Sequence, residues 1–310
     1  MQSNQKLFDH LKSPLLVETC GKWILAGEHA VLRGSEAVVF PLKSARLKLV
    51  LTAQKTTPSS RLRVLYTGTK GHEYELLFHS VFQNSCQLLN INEDFFQDAT
   101  LLIDSDLPVG TGLGASAALC VAVTKLFHQL EFLSEHEIYD FALKMENIFH
   151  GESSGVDIAV SLMGSGMVFQ RGIKREALKS DWQPHLYVSY SGHRGMTFDC
   201  IEKVKTLTHS DQALGHQIDM EMRAAVDLAL KSFHECDIQV LIQSIETAQK
   251  CFLKWDLCPA SMQKEMDRLK ALGALAVKPT GSGGGGFVLS LWSAVPDQKL
   301  VSELKLMSCF

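Results

Sequence analysis

The chain has 310 residues, 46% hydrophobic and 21% charged, the balance of a globular protein with a full core in one large domain or two ordinary ones. A net charge of −4 excludes a broadly basic nucleic-acid surface, but an anionic ligand needs only a local pocket of donors. The eight cysteines include no C-x-x-C pair, which argues against a zinc ribbon or a thioredoxin-type site.

The N-terminal "MQSNQKLFDHLK" lacks the apolar stretch of a signal peptide. No run of about 18 apolar residues follows to span a membrane. The expectation is a cytoplasmic protein with reduced thiols. Strands are predicted around Trp23–Leu25, in "ARLKLVL" and in "RLRVLY", where apolar residues alternate. A hairpin is expected around Gly68–Gly71, a short helix over His79–Leu89 and a strand in "ATLLID". Ala115–Leu130 is apolar on nearly every side and predicts a buried helix. A second helix starts at a Ser134/Glu137 capping box and stops at Gly151; a third begins near Ser154. "GSGMVFQRG" reads as a turn and a strand. The polar stretch Ile173–His185 suggests a boundary, giving domains 1–175 and 176–310. Beyond it come a strand in "LYVSYS" and helices near Asp211–His234, Ile238–Lys254 and Pro259–Leu272. A glycine loop then runs into the strand "FVLSLW". The fold class is α+β, strands preceding helices in each half, rather than a regular βαβ alternation.

Two glycine clusters carry the chemistry. In "LPVGTGLGAS", Gly110, Gly112 and Ala115 fit the dinucleotide fingerprint. A glycine loop ahead of a helix suits any phosphate, because the first helical amides lack internal partners. A Pro-containing loop separates the preceding strand from the first glycine, and no acid-ended second strand follows, so a nicotinamide site is disfavoured. No G-K-[ST] follows either, so this is not a Walker A loop. A structural turn with small residues for tight packing remains the competing explanation. The second cluster, "TGSGGGG" (Thr280–Gly286), lies between an apolar helix and an apolar strand. There a linker has little to connect, and close backbone approach to a ligand or another segment fits better.

Three segments, "GKWILAGEHAVLRG" (Gly21–Gly34), "LPVGTGLGASAA" (Leu107–Ala118) and "KPTGSGGGG" (Lys278–Gly286), resemble the three motifs of the GHMP kinases in order and separation. "GEHAVL" and "ENIFHGESSGVDIAV" look most like the mevalonate kinase subfamily. The resemblance implies a two-domain α+β fold with the active site in the interdomain cleft. It also implies ATP and Mg2+, and transfer of the γ-phosphoryl to mevalonate to give 5-phosphomevalonate. Rival readings are another small-molecule kinase of the superfamily and a non-catalytic nucleotide sensor. No nucleic acid or membrane partner is implied, and a homodimer is compatible.

By the same resemblance, Asp157 is the catalytic aspartate and Lys22 its motif-one lysine. A carboxylate could accept or orient the proton of the substrate hydroxyl, and an adjacent lysine favours its charged form. Ser154 and Asp157 also spell an S-x-x-D capping box. Pro108, Gly110, Gly112, Leu113, Gly114, Ala115 and Ser116 are expected around the nucleotide, with Ser116 and Glu146 as oxygen donors to the metal. Glu28, His29, His150, Arg194, Thr197, Thr280 and Gly281 are expected near the substrate. An arginine suits a carboxylate through paired hydrogen bonds. Departures from the family pattern include Cys20, Ala115, Ser153, Ile158, Pro279 and Ser282. None removes a charged catalytic group.

Overall fold

The computed structural model describes Leu7, Leu11 and residues 13–53, 61–151 and 153–310. Most of the N-terminal segment read above for a targeting signal therefore lies outside the described residues, as do Glu152 and the side chain of His150. No described helix is long and apolar enough to cross a membrane.

The α+β expectation holds. Two compact units emerge, each discontinuous in sequence: residues 1–21, 45–109 and 115–151 in one, and 22–44, 110–114 and 152–310 in the other. The sequence reading expected a single cut near 175. Sheet pairing explains the difference, because strands after residue 152 pair with an early strand.

In the first unit, β4 (Ala99–Ser105) lies between β3 (Arg63–Thr67), which is parallel to it, and residues Leu47–Ala53 of β2 (Glu36–Ala53), which are antiparallel. The expected hairpin at Gly68–Gly71 is absent. A turn and a 3-10 segment, Gly71–Tyr74, lead instead into α1 (Glu75–Leu88), which starts earlier than expected. The long apolar run becomes α2 (Ala115–Gln129), buried over most of its surface. The Ser134/Glu137 box forms as read and caps a short 3-10 turn that continues into α3 (Ile138–His150), with Gly151 as its C-cap.

In the second unit, residues Glu36–Val39 of β2 pair antiparallel with β5 (Met167–Gln170), and β6 (Lys174–Ala177) pairs with β5. Part of the polar stretch read as a boundary is thus a sheet strand. β1 (Leu15–Ala26) also pairs with β2. Helix α4 (Val156–Met163) precedes β5. A second sheet has the order β10–β7–β9–β8, formed by β7 (Leu186–Tyr190), β8 (Ala276–Thr280), β9 (Phe287–Leu291) and β10 (Met307–Ser308). Helices α5 (Thr197–Ser210), α6 (Gln212–Glu235), α7 (Ile238–Lys254), α8 (Ala260–Ala271) and α9 (Gln298–Leu304) complete the unit. Met262, Met266 and Leu269 of α8 pack on Val277 and Val288 of this sheet and on Trp292 beyond it, forming a core that holds β8 and β9 in place. The glycine loop Gly281–Gly286 is the connection between those two strands.

Candidate active site

The first glycine loop is pinned where it begins. Tyr74 donates its hydroxyl hydrogen to the Leu107 carbonyl (3.0 Å), and the Val109 amide donates to Glu73 (3.0 Å). Pro108 is buried between them. Beyond that point Gly110, Gly112 and Gly114 have φ of 72°, 85° and 74°. This left-handed region is open to glycine at little cost, which accounts for glycine at every second position. Leu113 between them is buried. Its carbonyl accepts from the Lys22 amide at 2.9 Å, tying the loop to β1.

Gly114 is where the loop meets charge. A Cβ there would fall 2.8 Å from Lys22 Cγ and 3.4 Å from Asp157 Oδ2. Lys22 Nζ stands 3.2 Å from Asp157 Oδ1; the lysine side chain is 4% exposed and the aspartate 23%. The pair is thus sheltered on one side and open on the other. The expected Ser154/Asp157 capping box does not form. The N-cap of α4 is Gly155, at φ 82°, and no side chain caps the helix. Ser153 and Ser154 accept instead from the amides of Gly155 and Val156. Asp157 sits in the first helical turn, where the helix dipole favours a carboxylate, with its side chain on Lys22.

The two glycine clusters touch. A Cβ on Gly281 would lie 2.7 Å from the Gly112 carbonyl oxygen, and one on Gly286 would lie 2.3 Å from that of Thr111. The segment before α5 also packs here: Gly286 N–H donates to the His193 carbonyl (2.7 Å), and Ser282 Oγ donates to Thr197 Oγ1 (3.3 Å). This brings Thr197 and the exposed Arg194 alongside the second loop.

Glu28 and His29, expected at the substrate, are enclosed by protein, 2% and 5% exposed. Glu28 forms an ion pair with Lys278, which is wholly buried. Burial raises the carboxyl's pKa and lowers that of the ammonium, while the attraction between them opposes both shifts. Glu28 Oε2 has no hydrogen-bond partner. His29 occupies a tight turn with φ 57° and ψ −45°, across which the Ala30 amide donates to the Glu28 carbonyl at 2.6 Å. Such a γ-turn is strained. His29 Nε2–H donates to the Ser282 carbonyl (2.8 Å), and the ring packs edgewise on Trp255. Burial lowers the imidazole pKa to about 4, so the ring is neutral at pH 7. Thr280, 1% exposed, spends its hydroxyl on the Ile24 backbone.

Ser116 lies in the first turn of α2 and Glu146 on α3, both in the first unit. Glu146 is 3% exposed. The Cys120 thiol, one helical turn after Ser116, has its pKa raised by burial and further by the Glu146 charge. A hydroxyl and a carboxylate are the hard oxygen donors that Mg2+ takes, with phosphates and waters completing the shell. Among the described residues no group of three or more His, Cys, Asp and Glu could hold a metal by itself.

Residues missed by the sequence reading are Glu73 and Tyr74, which fix the loop entry, and Lys278 and Ser282, which engage Glu28 and His29. Lys278 gave one local signal: a charge inside the otherwise apolar run "LGALAVKPT".

The family profile described as GHMP kinases N terminal domain matches residues 79–165. Those residues therefore carry the N-terminal domain of the GHMP kinases. Over most of its length the chain is similar to the mevalonate kinase of Aeropyrum pernix, with 28% identity covering 88% of this chain and 86% of that one. It is also similar to the mevalonate kinase of Pyrococcus abyssi, with 29% identity covering 89% and 88%. Among solved structures, Leishmania major mevalonate kinase in complex with R-mevalonate superposes with a TM-score of 0.79 at 20% identity, covering 94% of this chain and 92% of that one. That likeness is one of fold.

Proposed function

We propose that this protein transfers the γ-phosphoryl group of ATP to the hydroxyl of mevalonate, giving 5-phosphomevalonate. The carrying observation is the Lys22–Asp157 pair set against Gly114, in the loop that leads into α2. The names of the similar curated proteins supply the acceptor.

The chain's own groups divide the work. Backbone amides of Gly110–Gly114 and of the first turn of α2 bind phosphate oxygens, as the amides of a glycine loop that opens a helix do. Asp157, the more exposed member of its pair, receives the hydroxyl proton of the acceptor and orients the oxygen for in-line attack. Lys22 Nζ holds the carboxylate in place and adds positive charge where negative charge accumulates. Ser116 and Glu146 would hold Mg2+, whose contribution when bound is to neutralise phosphate charge. In this reading Arg194 and Thr197, beside the second glycine loop, meet the acceptor carboxylate. Glu28, His29 and Thr280 act from behind, by shaping that wall.

An acceptor panel tests this reading. Purified protein with ATP and Mg2+ is offered mevalonate, phosphomevalonate, homoserine and galactose, and ADP release is followed. Mevalonate is expected to be preferred, with a phosphate monoester formed at its primary hydroxyl. Preference for another acceptor would move the protein elsewhere within the superfamily. ATP binding without turnover on any acceptor would make it a sensor.

A further inference from the structure

Strand β8 borders its sheet, with β9 on one side in the ladder order. Its side chains reach toward β1, which belongs to the other sheet, and two of them converge on a single residue there. Thr280 Oγ1 accepts from the Ile24 amide at 2.9 Å and donates to the Ile24 carbonyl at 3.1 Å. Lys278 Nζ donates to the same carbonyl at 3.2 Å. Both backbone groups of Ile24 are therefore satisfied by side chains of β8, where a neighbouring strand would otherwise serve.

Ile24 lies two residues beyond Lys22 on the same strand. The Lys22 amide is held by Leu113 of the first glycine loop, and its Nζ meets Asp157. The clasp on Ile24 thus fixes β1 immediately after the lysine that faces the reacting group. The remaining hydrogens of Lys278 point to Glu28 and to the face of Phe252, with Nζ 5.3 Å from the ring centroid, which uses the donor capacity of a buried ammonium. Packing alone does not call for this chemistry. Apolar side chains of the same volume would fill the space without desolvating two charges.

We propose that Lys278 and Thr280 are positioning residues for phosphoryl transfer: by clasping the Ile24 peptide groups from β8 they hold β1 in register and set Lys22 against Asp157. This rests on the kinase reading given above. Glu28 takes part as the counter-charge that lets Lys278 remain an ammonium inside the fold. Both side chains are buried, Lys278 at 0% and Thr280 at 1% exposure, and act through the β1 backbone.

Turnover and structure are measured on Thr280→Val, Thr280→Ser and the double substitution Glu28→Leu with Lys278→Met, which removes both buried charges together. Thr280→Val is expected to lower kcat roughly 10- to 100-fold, the scale of a small misplacement of a reacting group, with KM for ATP changed by less than about twofold. Thr280→Ser, which keeps the hydroxyl, should recover most of that loss. The double variant should fold and show the same kcat defect. Crystal structures of the valine and double variants should show the Lys22–Asp157 pair opened beyond ion-pair distance. If Thr280→Val does not fold, Thr280→Ala removes the hydroxyl without adding a methyl group beside Ile24. Wild-type kcat in the valine, alanine or double variant, an equal defect in Thr280→Ser, or an unchanged Lys22–Asp157 separation would each overturn the proposal. Failure of the kinase reading is distinguishable, because it appears as absent turnover in the wild-type protein. The Lys22–Asp157 separation in the variants then still decides the positioning role.

Discussion

The two glycine clusters look alike in sequence and differ in what surrounds them. In the first, a Cβ on Gly110 would meet nothing within 4 Å, and one on Gly114 would meet the Lys22–Asp157 pair. In the second, each glycine from Gly281 to Gly286 is pressed against other protein atoms: the Gly112 carbonyl, Phe252 and Leu257, the Cys200 sulfur, the segment around Gly195, and the Thr111 carbonyl. The first loop has open space at Gly110 and charge beside Gly114. The other is a packed wall that supports the first. Glycine richness by itself therefore reports close approach, and only the neighbours tell whether the approaching group is a substrate or the protein itself.

Substitutions should separate the two roles. The largest effect is expected beside the first loop. Asp157→Asn should keep nucleotide affinity and lower kcat by roughly 10²- to 10⁴-fold, the range for loss of a general base, as read by steady-state kinetics alongside ATP titration. Unchanged turnover would remove Asp157 from the mechanism.

In the second loop the penalty should fall on stability. Gly286→Ala places a methyl group 2.3 Å from a backbone oxygen at φ 84°. It should cost roughly 2–5 kcal/mol from overpacking and left-handed strain together, seen as a lowered urea midpoint or as failure to fold. Gly110→Ala, at φ 72° with open space around it, should cost only about 1–2 kcal/mol. Equal losses in the two variants would erase the distinction between cradle and wall.

His29, bonded to the second loop at Ser282, supplies a pH test of intermediate size. Its folded pKa of about 4 lies below the ordinary 6.5. Below pH 6.5 the unfolded chain therefore binds a proton that the folded chain refuses. Stability should fall as pH drops from about 6.5 to about 4, by up to about 3 kcal/mol, and be unaffected by this group at higher pH. His29→Asn, chosen because asparagine tolerates positive φ, should flatten that slope in urea titrations at pH 5 and pH 7. A slope equal to that of the wild type would show that other groups carry the acid sensitivity.

What the sequence disclosed follows the range of its signals. Helix α2 was legible as a long run apolar on nearly every side, and the Ser134/Glu137 box as a three-residue spacing. Helix α5 was not, because Cys200 and Val204 are its only buried residues, too few to write a stripe. The Ser154/Asp157 box was a local pattern overruled by a distant partner, Lys22. Glu28 and Lys278 pair across 250 positions, a separation at which neither residue leaves a periodic trace near the other. Their substrate-facing and unassigned readings, respectively, gave way to a buried ion pair. Residues of the three motifs come together in the fold, but which of them are exposed and which are buried depended on tertiary packing.

The most direct measurement is a crystal structure of the protein with a non-hydrolysable ATP analogue and Mg2+. The phosphates should lie on the amides of Gly110–Ser116, with the terminal phosphorus facing the Lys22–Asp157 pair. Phosphates bound elsewhere, with Asp157 turned away from them, would contradict the assignment of this loop and this pair to phosphoryl transfer.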